Sequence, residues 1–324
     1  MDDRQEQTIE KYGFQVKNRY RVRGAVLLDT DEGLRMLRQC DRLGEHFSFE
    51  NRIKENLAEK GFGMTDRVVP NLDGDAITEW ENGIKYVVYC WYSGNECDYR
   101  SGHDLCLAAE NLGRLHLALR EKADTPVPPE EDLMGRYQRR IRELKRVYRF
   151  MMGKKRKSHF ELYALACYPE FAKKASNAEK KLAQSAYFQK NGTGTRDLCH
   201  GEYNYHNLIM TGDGVATTNF ERMAFGMQLM DLAYFFRKVM EKNNWDAEKG
   251  KAILESYKSV AGFSPEEQEF LWIVLSFPEK YWKLMNHYIN GKKTWISDKN
   301  MEKLKGVKEQ EQAKENFLKT LSVL

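Results

Sequence analysis

Between Gly192 and Gly226 the chain stops reading as helix. There His200, Glu202 and Asn207 fall on a polar loop between apolar, strand-like pieces, with Asn219 and Glu221 at the end of the second piece. The run RDLCHGEYNYHNLIMTGDGVATTNF parses as strand end, loop, a short strand at 208–210, a tight turn at 211–214 and a short strand at 215–220. Phosphoryl transfer needs such side chains together: a carboxylate beside the acceptor hydroxyl, a side-chain carbonyl for metal, and a second oxygen ligand from the neighbouring strand. Oxygen-bearing side chains held in one hairpin can bind Mg²⁺ against the phosphates of a nucleotide. A polar loop ending in His-Gly is also ordinary structural punctuation, so the residues alone leave both readings standing.

The elements that must position this hairpin differ along the chain. Strands are expected at 21–29, 34–40, 76–79 and 85–92, separated by Asp31-Glu32-Gly33, Asp73-Gly74 and Asn82-Gly83. A helix at 47–60 carries Phe49, Ile53 and Leu57 on one face and stops at Gly61. After Gly94 the pattern turns helical: an amphipathic helix at 104–120 closed by prolines at 126–129, then long helices at about 130–152 and 159–190. Helix resumes from 228 to the end, with Pro265 and Pro278 as punctuation. The expected class is α+β, with a small mixed β lobe at 1–93 and a larger helical lobe at 94–324.

With 324 residues, 41% hydrophobic and 12% aromatic, the chain has the size and composition of a globular protein rather than a disordered one. No apolar run is long enough to span a bilayer, and MDDRQEQTIEKYG lacks the regions of a signal peptide. Membrane, secreted and fibrous classes are therefore excluded, and cytoplasmic synthesis is expected. The six cysteines form no C-x-x-C pair and read as reduced thiols, with Cys97 and Cys106 expected near the surface. Net charge is +4, but residues 136–157 hold eleven Lys or Arg against Glu143 alone. That stretch either holds a polyanion or phosphorylated ligand, or is a helix with a solvated basic face behind Tyr137, Ile141, Leu144, Tyr148 and Met151. Tyr281, Trp282, Tyr288 and Trp295 either line an acceptor pocket or pack helices together.

HGEYNYHN (200–207), NFE (219–221) and DLAYFFRK (231–238) resemble the H-G-D-x-x-x-x-N, D-F-D/E and D-L signature of aminoglycoside-phosphotransferase-like kinases. Residues 94–116 and 277–304 resemble segments of the CotS family of spore coat proteins within that fold. The resemblance covers almost the whole chain and implies a two-lobed protein-kinase-like fold. It also implies spore coat proteins as partners, a coat location, and ATP with Mg²⁺ as cofactors if the site is active, or none if it is not. Neither a membrane nor a nucleic acid is expected as a partner.

Carried over position by position, the resemblance places Glu202 at the catalytic base, His200 in loop orientation, and Asn207, Asn219 and Glu221 at the metal. Asp231 would be structural, and His116 would pack near the loop. The phosphate-contacting basic residue of the third strand would be Arg38 or Arg35, its helix partner Glu50 or Glu55. The adenine hinge would be Tyr89, Cys90, Trp91 and Tyr92. Three charged positions depart from the pattern: arginine for lysine, Glu202 for aspartate, Asn219 for aspartate. A glycine-rich phosphate loop is missing as well, Gly24 being the only glycine within 21–29. The expectation is a kinase-like coat protein with a degenerate site and weak or no catalysis. The alternative is an active ATP-dependent phosphotransferase acting on a small-molecule or protein hydroxyl.

Overall fold

The computed structural model describes residues 3–22, 24–40, 47–81, 83–120, 132–192, 197–291 and 298–321. Asn82, the prolines at 126–129 and Trp295 lie outside these residues. The chain divides into two compact units, Met1–Val127 with His200–Met223, and Pro128–Cys199 with Ala224–Leu324. The hairpin and the first long helix therefore group with the β-rich residues, whereas the sequence reading divides the chain by composition at 93.

In the first unit, successive side chains along a strand point to opposite faces, and apolar residues on both faces of the sheet are buried. Helix α1 (Asp3–Ile9) precedes β1 (Val16–Val22), β2 (Ala25–Thr30) and β3 (Gly33–Gln39). Helix α2 (Phe47–Glu59) leads to β4 (Val68–Val69), β5 (Thr78–Glu79), β6 (Lys85–Cys90), β7 (Asn95–Glu96) and α3 (Gly102–Ala118). The antiparallel sheet runs β1-β2-β3-β6-β4, with β5 also on β6. Val26, Leu28, Leu37, Tyr86 and Val88 are buried on one face with Ile9, Tyr12 and Phe14. Ala25, Met36, Val87 and Tyr89 are buried on the other, with Phe47 and Trp91 packed partly against them.

The expected strand at 21–29 is two strands. Gly24 takes φ +68° and reverses the chain, so Val22 pairs with Ala25. Only glycine enters that backbone region freely. Residues 16–20 escape the sequence reading because β1 is an edge strand whose side chains face solvent. Cys97, expected near the surface, is buried, and burial pushes its thiol up to about 12. Its N–H donates to Leu208 O, which carries it into the hairpin's sheet. Cys106 is partly buried.

In the second unit, α4 (Leu133–Gly153), α5 (His159–Gln184) and α6 (Ala186–Asn191) lead to β8 (Asp197–Cys199). Strand β9 (Leu208–Thr211) and β10 (Gly214–Thr217) belong to the first unit, and β11 (Ala224–Gly226) pairs with β8. Helices α7 (Leu229–Met240), α8 (Ala247–Ala261), α9 (Pro265–Ser276), α10 (Glu279–Asn290), α11 (Asp298–Glu309) and α12 (Glu311–Leu321) complete it. Tyr281 stacks on Phe171 at 4.3 Å, Arg140 lies over Trp282 at 4.0 Å, and Tyr288 meets Phe160. These three aromatics of α10 are helix-packing groups.

Helix α5 opens on a capping box in which the Ser158 hydroxyl accepts from the Glu161 N–H and Glu161 accepts from the Ser158 N–H. Burial works to raise the Glu161 pKa, but hydrogen bonds from Lys154, Tyr288 and Ser158 outweigh it and hold it below the ordinary 4.5. A depressed carboxyl contributes stability above its unfolded pKa and loses it as pH falls through the folded value. Glu161→Gln should therefore lower the urea midpoint at neutral pH and flatten its fall below about pH 4.5. Parallel acid limbs for the two proteins would contradict this.

Candidate active site

Strands β9 and β10 form an antiparallel hairpin with Thr211 opposite Gly214, and β7 pairs with β9. The polar loop before it is fixed by the fully buried His200. Its Nδ1 accepts the Glu202 N–H at 3.2 Å, and its Nε2 lies 3.1 Å from Thr218 O. Together these bonds require the tautomer with the proton on Nε2. His200 thus clamps the loop to the far strand end. Gly201 takes φ +78°, and a Cβ there would stand 1.9 Å from Arg222 O. Gly201→Ala meets both strain and a backbone clash. It should cost about 2–3 kcal/mol, read as a lower melting temperature with faster hydrogen exchange at 200–207. Unchanged exchange there would refute this account of the turn.

Helix α3 supports the loop from below. Asn111 Nδ2 donates to Tyr203 Oη at 3.1 Å and Thr217 Oγ1 at 2.8 Å, and Tyr203 in turn donates to Ala108 O at 2.7 Å. Asn111 was not singled out from the sequence. Its signal was a lone amide on the apolar face between Ala108 and Leu112.

The loop and hairpin bring Asn207 and Asn219 together and leave Glu202 and Glu221 each beside an arginine. Asn207 Nδ2 donates to Glu202 O at 2.9 Å, and Asn219 Nδ2 reaches Asn207 Oδ1 at 3.5 Å. The Glu202 carboxylate lies 3.3 Å from Arg222 Nε, and the exposed Glu221 lies 3.7 Å from Arg38 Nη1. Asn219 holds φ +66°, a conformation asparagine tolerates. Its N–H donates to Asp66 Oδ2 at 2.8 Å.

On the sheet, Arg38 shares the face of Met36 and Tyr89. Its guanidinium lies 5.8 Å from the Tyr89 ring and 6.0 Å from that of Trp91. Arg35 has the opposite parity and pairs with Glu32 at 3.3 Å. The resemblance implies that Glu50 answers the basic residue of β3. Instead Glu50 accepts from Lys54 at 2.8 Å, one turn along α2, and Glu55 pairs with Arg67. Lys54 is fully buried, and its Nζ also donates to Asp66 O at 2.7 Å and Asp66 Oδ1 at 3.3 Å. Burial alone would lower the Lys54 pKa, but Asp66 and Glu50 outweigh it and hold it above its ordinary value. For Glu50 burial wins, and its pKa is raised despite Lys54. Along 89–92, the N–H of Cys90 donates to Arg67 O at 2.8 Å and that of Trp91 to Leu34 O at 3.0 Å.

Unshared negative charge is sparse among these residues. A divalent ion needs unshared negative charge, yet Asn207 and Asn219 are neutral, and Glu202 and Glu221 each face a guanidinium. At 4 Å and an effective dielectric near 20, one charge pair is on the order of 4 kcal/mol, so an amide at 219 offers a cation far less than a carboxylate there would. Lys54 is buried, and its charge is spent on the carboxylates of Glu50 and Asp66. The N–H groups of Cys90 and Trp91 are taken by backbone carbonyls.

A family model described as "Spore coat putative kinase YutH" matches residues 5–321. The chain is 22% identical over 314 residues to "Spore coat protein S" of Bacillus subtilis (strain 168), covering 92% of this chain and 86% of that protein. Among solved structures it resembles an aminoglycoside phosphotransferase from Alicyclobacillus acidocaldarius, with TM-score 0.86 at 19% identity over 97% of this chain and 93% of the other. It also resembles the amicoumacin kinase hAmiN bound to AMP-PNP, Ca²⁺ and Ami, with TM-score 0.62 at 12% identity over 96% and 94% of the two chains. These structural likenesses give the kinase-like fold.

Proposed function

The chain belongs to the family described as "Spore coat putative kinase YutH", and from that membership we propose that it is a spore coat component with a degenerate phosphotransferase site, acting by structure or interaction with little or no catalysis. Its partners in this reading are other coat proteins, as the similarity to a spore coat protein suggests. One observation carries the proposal: Glu202 and Glu221 each face an arginine, and the two side chains that meet beside them, Asn207 and Asn219, are neutral amides.

A second reading is favoured by the retained order of Glu202 and Asn207 on a clamped loop. There the protein is an ATP-dependent phosphotransferase for a small-molecule or protein hydroxyl, with Glu202 released by Arg222 to take the hydroxyl proton. Thermal melting separates the two readings. The degenerate site predicts the same melting temperature with ATP alone and with ATP plus Mg²⁺. A rise of several degrees that requires Mg²⁺ would give the site to the enzyme reading.

A further inference from the structure

Helices α4 and α5 meet at a corner whose surface chemistry the kinase-like site does not use. Among exposed side chains of residues 142–162, Arg142, Lys145, Arg146, Arg149, Lys155 and Arg156 are basic and none is acidic. Among the described residues, none of these six forms an ion pair. Phe150, Met152 and Leu162 stand among them 50%, 52% and 53% exposed, although large apolar side chains are normally covered. Within 149–159 only Met151 is buried, so most of the corner faces solvent. It is also firm. Lys154 Nζ donates to Glu161 at 2.6 Å and to Tyr288 Oη at 3.0 Å, lies 5.0 Å from the Phe150 ring, and the capping box fixes the start of α5.

We propose that this corner docks on an anionic lipid surface. A small phosphorylated ligand asks for donors that converge on one anion, whereas these basic side chains spread along residues 142–156 with Phe150 and Met152 standing between them. A bilayer interface needs no enclosure: it takes protruding Phe, Met and Leu into the headgroup boundary while Lys and Arg meet lipid phosphates. The sequence reading leaves membranes out because no segment can span one, but a surface contact asks for no span. The buried face of α4, with Tyr137, Leu144, Val147 and Met151, stays in the helical core, so only the corner engages.

The test is co-sedimentation of the full chain with vesicles of phosphatidylglycerol mixed into phosphatidylcholine, and with phosphatidylcholine alone. Binding is expected only to the anionic vesicles and should weaken at least about tenfold from low to moderate salt. Phe150→Ser with Leu162→Ser should weaken it about tenfold, and Lys155→Glu with Arg156→Glu should abolish it. All four sites are exposed, so unchanged melting curves are expected for these variants. Any of four results would overturn the proposal: no sedimentation at low salt, full binding by either double variant, equal binding to neutral vesicles, or capture by soluble polyglutamate as strong as by vesicles. The last would assign the corner to an acidic protein partner. The experiment is independent of whether the hairpin binds nucleotide.

Discussion

Lys54→Met should remove about 3–5 kcal/mol of stability from the first unit, because it strips the cation from between two carboxylates and leaves buried charge uncompensated. Glu50 already has its pKa raised by burial, so its carboxylate depends on Lys54 for whatever offset it has. Asp66 loses both hydrogen bonds from Lys54 Nζ, one to its backbone carbonyl and one to its carboxylate, and Asp66 Oδ2 is what accepts the Asn219 N–H. The damage should therefore appear first in hydrogen exchange at 217–220, on a hairpin more than 150 residues away in sequence. Lys54→Met combined with Glu50→Gln and Asp66→Asn should recover most of the loss, since no buried charge remains. A single-variant cost below about 1 kcal/mol would mean that Lys54 does not bridge α2 and the hairpin.

Asn219→Asp should convert an amide–amide contact into a cation site. The new carboxylate would face Asn207 Oδ1 with no proton between them, an arrangement that is unfavourable empty and favourable around a divalent ion. Loss of one charge pair was put at on the order of 4 kcal/mol before desolvation. Recovering about 2–3 kcal/mol of it would tighten Mg²⁺-dependent nucleotide binding by about 30- to 150-fold. Adding Arg222→Ala should increase the effect by freeing Glu202. No change in either variant would mean that the amide of Asn219 is not what limits divalent-ion binding there.

How much of this was legible in sequence follows from which signals are local. Strands β3 and β6 are legible as short apolar runs bounded by turn residues, and α2 from Phe49, Ile53 and Leu57. The β9–β10 hairpin was visible because Gly212 and Gly214 bracket its turn. Lys54 was not read as special because it lies beside that apolar row and looks like a solvated position. Its signal was Glu50 one turn earlier, a spacing that brings the two side chains together. What buries the pair is Asp66, which arrives from an irregular segment that no periodicity marks. Arg222 was overlooked beside Glu221, and its effect on Glu202 depends on the sharp turn at Gly201. The charge of the site is thus set by tertiary neighbours that a motif does not contain.

The central claim is that this kinase-like scaffold has tied up or lost the negative charge a divalent ion requires. Isothermal titration of ATP into the unaltered protein, with and without Mg²⁺, tests it most directly. The account predicts no Mg²⁺-dependent binding tighter than about 1 mM. Saturable, Mg²⁺-dependent binding in the micromolar range would contradict it.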